Sequence, residues 1–261
     1  MTTVLITGAS GGIGHALAAQ YAQPGYTLVL HGRDQAKLQT LARQCEDQGA
    51  RCVVFAFDLS DAPLWIASLN SLVTKFSVDL VFVNAGVAMT QLERAETWNE
   101  AKHTLDINLG AAIATVTALS PHMVQRGSGQ IVLISSLAAL VGMPLTPAYC
   151  ASKAGLRAYG QAMRGLLADS GVAVTVVLPG FVDTGMSKKF PAGKPFMVSP
   201  QWAARHIQKR LHRNPPQISF PQPLVFGMWC LAVMPATWSQ WILLRLGYAA
   251  THRAIPAQEA D

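Results

Sequence analysis

Tyr149 and Lys153 are the two residues whose types and spacing first suggest catalysis. They are four positions apart in a stretch with helical periodicity, so their side chains share one face of the predicted helix. A free tyrosine titrates at about pH 10, and a neighbouring ammonium favours its phenolate. We therefore expect Lys153 to lower the pKa of Tyr149, so that the phenol can act as an acid or a base near neutral pH. A surface helix can produce the same pair without any function.

Short β-branched segments alternate with longer helical segments along most of the chain. The nearly apolar composition of the short segments suits strands that are covered on both faces. The predicted strands are 3–7, 27–30, 51–57, 80–84, 130–134 and 173–178. The predicted helices are 13–22, 35–48, 65–75, 98–125, 148–169 and 200–212. This alternation, without an internal repeat or a linker, predicts one doubly wound α/β domain over 1–261, with helices on both faces of a parallel sheet.

A glycine-rich segment, residues 7–14, lies between the first predicted strand and the first predicted helix. Its sequence is Thr-Gly-Ala-Ser-Gly-Gly-Ile-Gly. Glycines allow a tight turn and a close approach of the backbone to a pyrophosphate. The helix that follows directs its free N–H groups and the positive end of its dipole at the same place. The segment therefore predicts a site for a nucleotide's phosphates.

The pattern Thr-Gly-x-x-x-Gly-x-Gly at 7–14 resembles the cofactor motif of the short-chain dehydrogenase/reductase family, in its compact single-domain branch. The resemblance extends over roughly residues 2–213. It implies a Rossmann-type fold with about seven strands. It also implies an enzyme that moves a hydride between a nicotinamide cofactor and a carbonyl or an alcohol.

The resemblance also assigns catalytic roles to four residues. Tyr149 is the acid and base, and Lys153 lowers its pKa and bonds the nicotinamide ribose. Ser136, thirteen residues before Tyr149, orients the substrate oxygen. Asn108 helps to hold a water chain to Lys153. A non-catalytic nucleotide sensor on the same fold is a weaker alternative, because such a protein typically loses part of this set.

The same resemblance predicts which residues contact the cofactor. Asp58 accepts a bond from the adenine amino group, while the Val182 backbone and the Thr184 hydroxyl hold the nicotinamide carboxamide. Besides Tyr149 and Lys153, the predicted contact residues are Thr7, Gly8, Ser10, Gly11, Gly12, Ile13, Gly14, Gly32, Arg33, Asp58, Leu59, Asn84, Ala85, Gly86, Pro179, Gly180, Val182 and Thr184.

The end of the second strand indicates which nicotinamide nucleotide is used. Gly32 stands where an enzyme specific for NAD carries an acid for the ribose 2′-hydroxyl, and Arg33 follows it. An arginine suits bidentate contact with a 2′-phosphate. Asp34 is expected to cap the next helix. We therefore favour NADP(H). NAD(H) stays open because Gly11 occupies a position at which many NADP-preferring relatives carry a basic residue.

Composition excludes several other classes of protein. The chain is 51% hydrophobic and 13% charged, as expected for a well-filled core and not for a disordered protein. Its net charge is +6, but no dense run of Lys and Arg predicts a nucleic-acid partner. The four cysteines form no CxxC pair and no metal-ligand spacing, so we expect reduced thiols in a cytoplasmic protein and no metal site. The N-terminus has no signal-peptide pattern.

The C-terminal extension, residues 220–261, is unusually apolar and contains Trp229, Trp238 and Trp241. Pro235 interrupts its most apolar part, 224–246, after eleven residues, which is short of the roughly twenty that a membrane span needs. We favour an element packed over the substrate pocket or at a subunit interface. A peripheral membrane contact through 224–246, with a lipid-like substrate, is the alternative.

The expected substrate is an apolar carbonyl or alcohol. Apolar side chains follow the fifth strand, and the lid-like loop 185–199 and the C-terminal extension add more. The family resemblance further implies a homodimer or a homotetramer built on the helices at 98–125 and 148–169.

Overall fold

The computed structural model describes residues 1–89 and 94–248. Within them, seven strands form one parallel sheet in the order β3-β2-β1-β4-β5-β6-β7. The predicted doubly wound α/β fold is confirmed. The strands are β1 (Thr2–Ile6), β2 (Tyr26–Gly32), β3 (Arg51–Ala56), β4 (Leu80–Val83), β5 (Gly129–Ile134), β6 (Val172–Pro179) and β7 (Gln217–Phe220).

The strand order reverses at β1, where the chain has crossed from one half of the sheet to the other. Ile6 pairs with Leu30 of β2 on one side and with Phe82 of β4 on the other. In open parallel sheets, the loops that leave the carboxyl ends of the strands diverge at such a point and open a crevice. The glycine-rich segment 7–14, which we call the phosphate loop, follows β1 at this crevice.

Helices cover both faces of the sheet, because successive strand residues point to opposite sides. Val81 belongs to the core that Trp65, Leu119 and Leu156 complete on one face, whereas its neighbour Phe82 faces the other core. The helices are α1 (Gly12–Tyr21), α2 (Gln35–Glu46), α3 (Ala62–Val73), α4 (Trp98–Leu105), α5 (Ala111–Arg126), α6 (Pro147–Leu166), α7 (Gly185–Lys188), α8 (Pro200–Leu211), α9 (Gln222–Val233) and α10 (Ala236–Arg245).

The predicted helix at 98–125 is not one regular α-helix. A π-helical turn, Asp106–Gly110, separates α4 from α5. Such turns add a residue to the helix and cluster at functional sites, and apolar periodicity does not reveal them. Trp98–Arg126 as a whole is the one stretch of the described chain that is long and apolar enough to cross a membrane. Its most apolar window is 61% buried, which packing against the sheet explains.

The seventh strand, β7, escaped the strand predictions although the family resemblance implied it. It is four residues long and lies at the edge of the sheet, where it pairs with β6 from Val176 to Pro179. Short edge strands between prolines lack the long apolar run that marked the other six.

Candidate active site

A cavity of about 840 Å³ opens at the carboxyl ends of the strands. Residues that the sequence places far apart line it together. From the predicted set, these are Gly8, Ser10, Gly11, Gly12, Ile13, Gly32, Arg33, Asp58, Leu59, Asn84, Ala85, Gly86, Ser136, Tyr149, Lys153, Pro179, Gly180, Val182 and Thr184. Three predicted residues, Thr7, Gly14 and Asn108, lie behind the cavity wall.

At two positions of the phosphate loop, the backbone lies so close to neighbouring atoms that only glycine fits. Gly8 has φ +67°, and a Cβ there would lie 2.9 Å from the Ala85 Cα. A Cβ on Gly14 would lie 2.3 Å from the Gly8 carbonyl oxygen. The loop is thus folded onto β4 and onto the first turn of α1. It leaves the first N–H groups of α1 at the cavity, which is the donor set that a pyrophosphate requires.

Thr7 shapes this loop from behind instead of presenting its side chain to the cavity. Its Oγ1 accepts hydrogen bonds from the Asn84 N–H at 2.9 Å and from the Ala85 N–H at 3.0 Å. The Asn84 side chain returns a bond to the Thr7 carbonyl at 3.0 Å. The hydroxyl is buried between β1 and the end of β4, so Thr7 supports the predicted cofactor site through the backbone that it holds.

His31 is a residue of the site whose role the sequence did not reveal. The Gly8 N–H donates to its Nδ1 at 3.4 Å, and its Nε2 lies 3.2 Å from the Phe57 carbonyl oxygen. Burial lowers the pKa of this histidine to about 4, so it is neutral at pH 7. The imidazole therefore connects the phosphate loop to the residue that follows β3. No spacing in the sequence predicts this contact, because the three segments are far apart along the chain.

The end of β2 presents a cation beside a small residue. Arg33 is exposed and forms no hydrogen bond or ion pair with any residue that the structure describes, whereas Asp34 caps α2 as predicted. A Cβ on Gly32 would lie 3.1 Å from the Ser10 Oγ. Bonds from Ser60 lower the pKa of Asp58, and Arg33 lowers it further through its charge. These residues offer a cationic corner at the place predicted for the adenosine end of the cofactor.

Tyr149 and Lys153 lie on one side of α6, with Nζ 5.7 Å from the centre of the phenol ring. Lys153 is 4% exposed, and its ammonium donates to the Ile134 carbonyl at 2.9 Å. Burial lowers the pKa of Lys153 to about 8. Burial also raises the pKa of Tyr149 to about 12, against the opposite effect of a hydrogen bond with Ser136. In the protein without cofactor, desolvation of the phenolate therefore dominates the pKa of Tyr149. The lowering expected from Lys153 and an oxidised nicotinamide ring stays a prediction for the complex.

The two serines that follow β5 have different roles. The Ser136 Oγ accepts from the Ala138 N–H at 3.1 Å and shares a hydrogen bond with Tyr149, which puts both hydroxyls at the same point of the cavity. The Ser135 hydroxyl donates to the Lys153 carbonyl at 2.8 Å and is buried. Ser135 thus fixes α6 to the sheet.

Asn108 stands in the π-helical turn and holds the segment after β4. Its Oδ1 accepts from the Val87 N–H at 2.7 Å, and its Nδ2 donates to the Val87 carbonyl at 2.8 Å. The same Nδ2 lies 3.1 Å from the Ser152 Oγ. A Cβ on Gly86 would lie 3.2 Å from the Asn108 Oδ1 and 3.4 Å from the Lys153 Nζ. Asn108 therefore positions the backbone that passes beside Lys153.

Glu96 is a second residue that the sequence did not reveal. Its Oε2 accepts from the N–H of Ala148, the residue before Tyr149, at 3.0 Å. Its Oε1 is buried and has no hydrogen-bond partner in the described part of the chain. Burial raises the pKa of this carboxyl. No motif marks Glu96, since a lone acid in a loop has many other uses.

The C-terminal helices α9 and α10 complete the cavity, as expected for an element packed over the substrate pocket. Leu224 and Met228 of α9 and Leu243 of α10 line it. Beyond α10, the Tyr248 hydroxyl donates to the Gly193 carbonyl at 2.9 Å, and its ring lies 5.9 Å from that of Phe190. The extension is thereby fastened to the 185–199 loop, and the inner wall of the cavity is mostly apolar.

Cysteine and metal chemistry play no visible part in the described residues. All four cysteines are free thiols, and Cys150 is buried and accepts from the Met143 N–H at 3.3 Å. Across 1–89 and 94–248, no group of three His, Cys, Asp or Glu side chains could hold a metal ion.

A parallel sheet, a glycine loop at the crevice and a Ser-Tyr-Lys set beside it define an oxidoreductase that uses a nicotinamide dinucleotide. The family model of the short chain dehydrogenases matches residues 2–195. The chain belongs to the short-chain dehydrogenase/reductase family.

Individual relatives agree with this assignment. An uncharacterized oxidoreductase of Myxococcus xanthus is 32% identical, over 89% of this chain and 92% of its own length. The ketoacyl reductase HetN of a Nostoc species is 35% identical over 71% of this chain and 65% of its own. A short-chain dehydrogenase from Sphingobium yanoikuyae, solved in complex with NADPH, superposes with a TM-score of 0.78 at 26% identity and covers 100% of this chain and 99% of its own.

Proposed function

We propose that this chain reduces an apolar ketone or aldehyde to the alcohol, with NADPH as the hydride donor. The observation that carries the proposal is a single cavity that joins the phosphate loop, the Ser136, Tyr149 and Lys153 side chains and a mostly apolar wall. When bound, the reduced nicotinamide supplies the hydride. The Gly8 turn and the N-terminus of α1 would hold the phosphates, and Arg33 would pair with the 2′-phosphate.

Tyr149 is present in the protonated form that reduction uses. Reduction leaves an alkoxide that needs a proton, and a phenol with a pKa of about 12 carries that proton at every physiological pH. The Ser136 hydroxyl, bonded to the same phenol, holds the substrate oxygen and stabilises its developing charge. Lys153 supplies a positive charge next to the phenolate that forms.

The corner formed by Ser10, Gly32 and Arg33 favours NADP(H) over NAD(H). Arg33 forms no hydrogen bond or ion pair within residues 1–89 and 94–248, and Gly32 presents no acid to repel a 2′-phosphate. The Sphingobium relative was solved with NADPH, whereas another relative of this fold, from Mycobacterium paratuberculosis, was solved bound to NAD. The fold therefore accepts both nucleotides, and the side chains of this corner make the selection.

Titration of nicotinamide fluorescence tests the cofactor assignment. We expect NADPH to bind at least about tenfold more tightly than NADH, a difference of about 1.4 kcal/mol, and Arg33→Ala to abolish the difference. Arg51→Ala, which removes an exposed arginine at the far end of β3, is the matched control and should keep it. Equal affinity of the wild type for both nucleotides overturns the NADPH assignment, and no binding of either overturns the proposed activity.

We also expect a homodimer or homotetramer through α5 and α6. The exposed side of α6 carries Ala151, Ala154, Ala158 and Ala162, small residues that let a second helix approach closely. Light scattering on the purified protein tests this, and Ala158→Glu should dissociate the assembly. A monomer at micromolar concentration contradicts it.

A further inference from the structure

Positive charge is concentrated in the last third of the chain. Residues 184–258 contain nine Lys and Arg and no Asp or Glu, whereas residues 1–183 contain eleven basic and twelve acidic residues. The lid loop (185–199) holds three of these nine basic residues, α8 and the segment just after it hold four, and α10 holds one. Lys188, Lys189 and Lys194 lie on the loop that Tyr248 fastens to the C-terminal extension, and Arg245 ends α10.

The same part of the protein exposes large apolar side chains in a regular pattern. On α9 and α10 they recur at helical spacings of three and four, so each helix presents one such stripe. Phe226 and Trp229 stack with their ring centres 6.3 Å apart. We call this surface the tail face, formed by Phe226, Trp229, Val233, Trp238, Trp241 and Arg245. Its five apolar side chains are 55% to 67% exposed.

The opposite sides of the two helices form the wall of the catalytic cavity. Met228 follows Phe226 by two residues and is buried, and Leu243 follows Trp241 by two and is buried as well. Ile242 and Leu246 also line the cavity. The layer formed by α9 and α10 is thus apolar on its outer side, at the tail face, and on its inner side, which faces the cavity that contains Tyr149. A molecule that leaves an apolar phase at the tail face would meet apolar side chains inside as well.

The helices suit a position on a membrane surface and not across it. At 1.5 Å per residue, helices of twelve and ten residues are about 18 and 15 Å long, against a hydrocarbon core of about 30 Å. The Arg245 guanidinium lies 5.2 Å from the Trp241 ring. Tryptophan beside arginine is typical of the interface between lipid headgroups and acyl chains.

We infer that the tail face docks on an anionic lipid bilayer and that the enzyme takes a long-chain carbonyl substrate directly from it. The substrate part of this inference rests on the proposed function. Anionic headgroups complement the three lysines of the lid loop, which carries no acid, and Arg245 at the end of α10. A second copy of the chain is the less favoured occupant, because a two-fold contact would bring these like charges together.

Flotation with vesicles tests the docking. We expect the full chain to float with vesicles of phosphatidylcholine and phosphatidylglycerol, to bind phosphatidylcholine alone far less, and to be released by salt. The double variant Trp238→Ser and Trp241→Ser should lower the partition coefficient at least about tenfold. Trp98→Ser removes an equally exposed tryptophan, 70% accessible on α4, and should change nothing.

Kinetics on two substrates test the delivery. The double variant should lose about tenfold in kcat/KM for a long-chain aldehyde presented in these vesicles, and should keep the wild-type value for a short soluble aldehyde. Neither Trp238 nor Trp241 lines the cavity, so NADPH affinity should be unchanged.

Three results would overturn the inference. One is a wild-type chain that does not float with anionic vesicles. Another is a double variant that floats as well as the wild type. The third is a wild type that does not bind vesicles, combined with a double variant whose oligomeric state differs from that of the wild type. That result would mean that a second copy of the chain covers the tail face. A chain that floats as expected but reduces neither aldehyde supports the docking and contradicts the proposed reaction.

Discussion

Asn108 and Val87 hold each other by two hydrogen bonds, one in each direction, at 2.7 and 2.8 Å. An asparagine is suited to this role because one side chain carries both a donor and an acceptor. The pair fixes the strand-to-helix segment against the π-helical turn. Because Gly86 lies between this pair and the Lys153 ammonium, the arrangement also sets the wall beside that ammonium.

Asn108→Ala should therefore destabilise the protein and slow the reaction. It leaves the N–H and the carbonyl of Val87 without their partners, which costs about 2 to 4 kcal/mol of the free energy of unfolding. Urea unfolding measures this loss, and kcat at saturating cofactor should fall in parallel. Asn70→Ala, an exposed position on α3, should change stability by less than about 0.5 kcal/mol. Unchanged stability of Asn108→Ala would show that the paired bonds contribute nothing.

Lys153→Met should abolish activity, and its relative stability should depend on pH. In the folded protein the pKa of Lys153 is lowered to about 8, against 10.5 for a free lysine. Between these two pH values, Lys153 therefore binds fewer protons in the folded protein than in the unfolded chain. The wild type therefore gains stability relative to the variant as the pH rises through this window. Urea unfolding without cofactor should show a gain of about 2 to 3 kcal/mol between about pH 7 and pH 10.

Lys75→Met is the control for this experiment, because Lys75 is exposed. Its stability relative to the wild type should stay nearly constant over the same range. A constant difference for Lys153→Met as well would mean that the ammonium is not desolvated in the folded protein.

His31 should make the phosphate loop sensitive to acid. Burial lowers the pKa of His31 to about 4, so the unfolded chain binds more protons than the fold between that pH and about 6.5. Stability is therefore lost as the pH falls through this window. Between about pH 7.5 and pH 4.5 the wild type should lose about 2 to 3 kcal/mol relative to His31→Gln.

The His31 experiment has a second measurement and a control. NADPH affinity of the wild type should weaken over the same range, because a protonated Nδ1 cannot accept from the Gly8 N–H. His212→Gln, at an exposed position after α8, should behave as the wild type. If the NADPH affinity of the wild type does not change on acidification, the protonation of His31 does not affect the phosphate loop.

Glu96→Gln should stabilise the protein at neutral pH. Burial raises the pKa of Glu96, so the fold binds more protons than the unfolded chain, and stability is lost as the pH rises from the unfolded pKa to that raised pKa. The amide removes this cost and keeps an oxygen for the Ala148 N–H. The gain in Tm should shrink as the pH is lowered. Glu46→Gln, on the exposed side of α2, is the control, and a gain that grows on acidification would contradict the assignment.

Most of the fold was predictable because its signals are local and periodic. Buried parallel strands need continuous apolar runs, and helices that cover a sheet need an apolar stripe. Six of the seven strands and the helices up to α8, apart from the short α7, could therefore be read directly, whereas α9 and α10 were not predicted as helices. The π-helical turn at 106–110 was not predictable, since one inserted residue leaves the apolar pattern intact. The edge strand β7 was too short to identify by its pattern.

The sequence by itself determined the glycine loop and the placement of Tyr149 and Lys153 on one face of a helix, because turn geometry and helical periodicity act over a few residues. Only the tertiary structure decided the protonation of Tyr149, because the pKa of a phenol depends on the burial that the whole fold imposes. The link from His31 to Phe57 and the cap of Glu96 on Ala148, 52 residues apart, likewise exist only after the chain has folded. The apolar C-terminal extension could have packed, associated or docked. Tertiary structure decided that one side of it closes the catalytic cavity and that the other side faces outward.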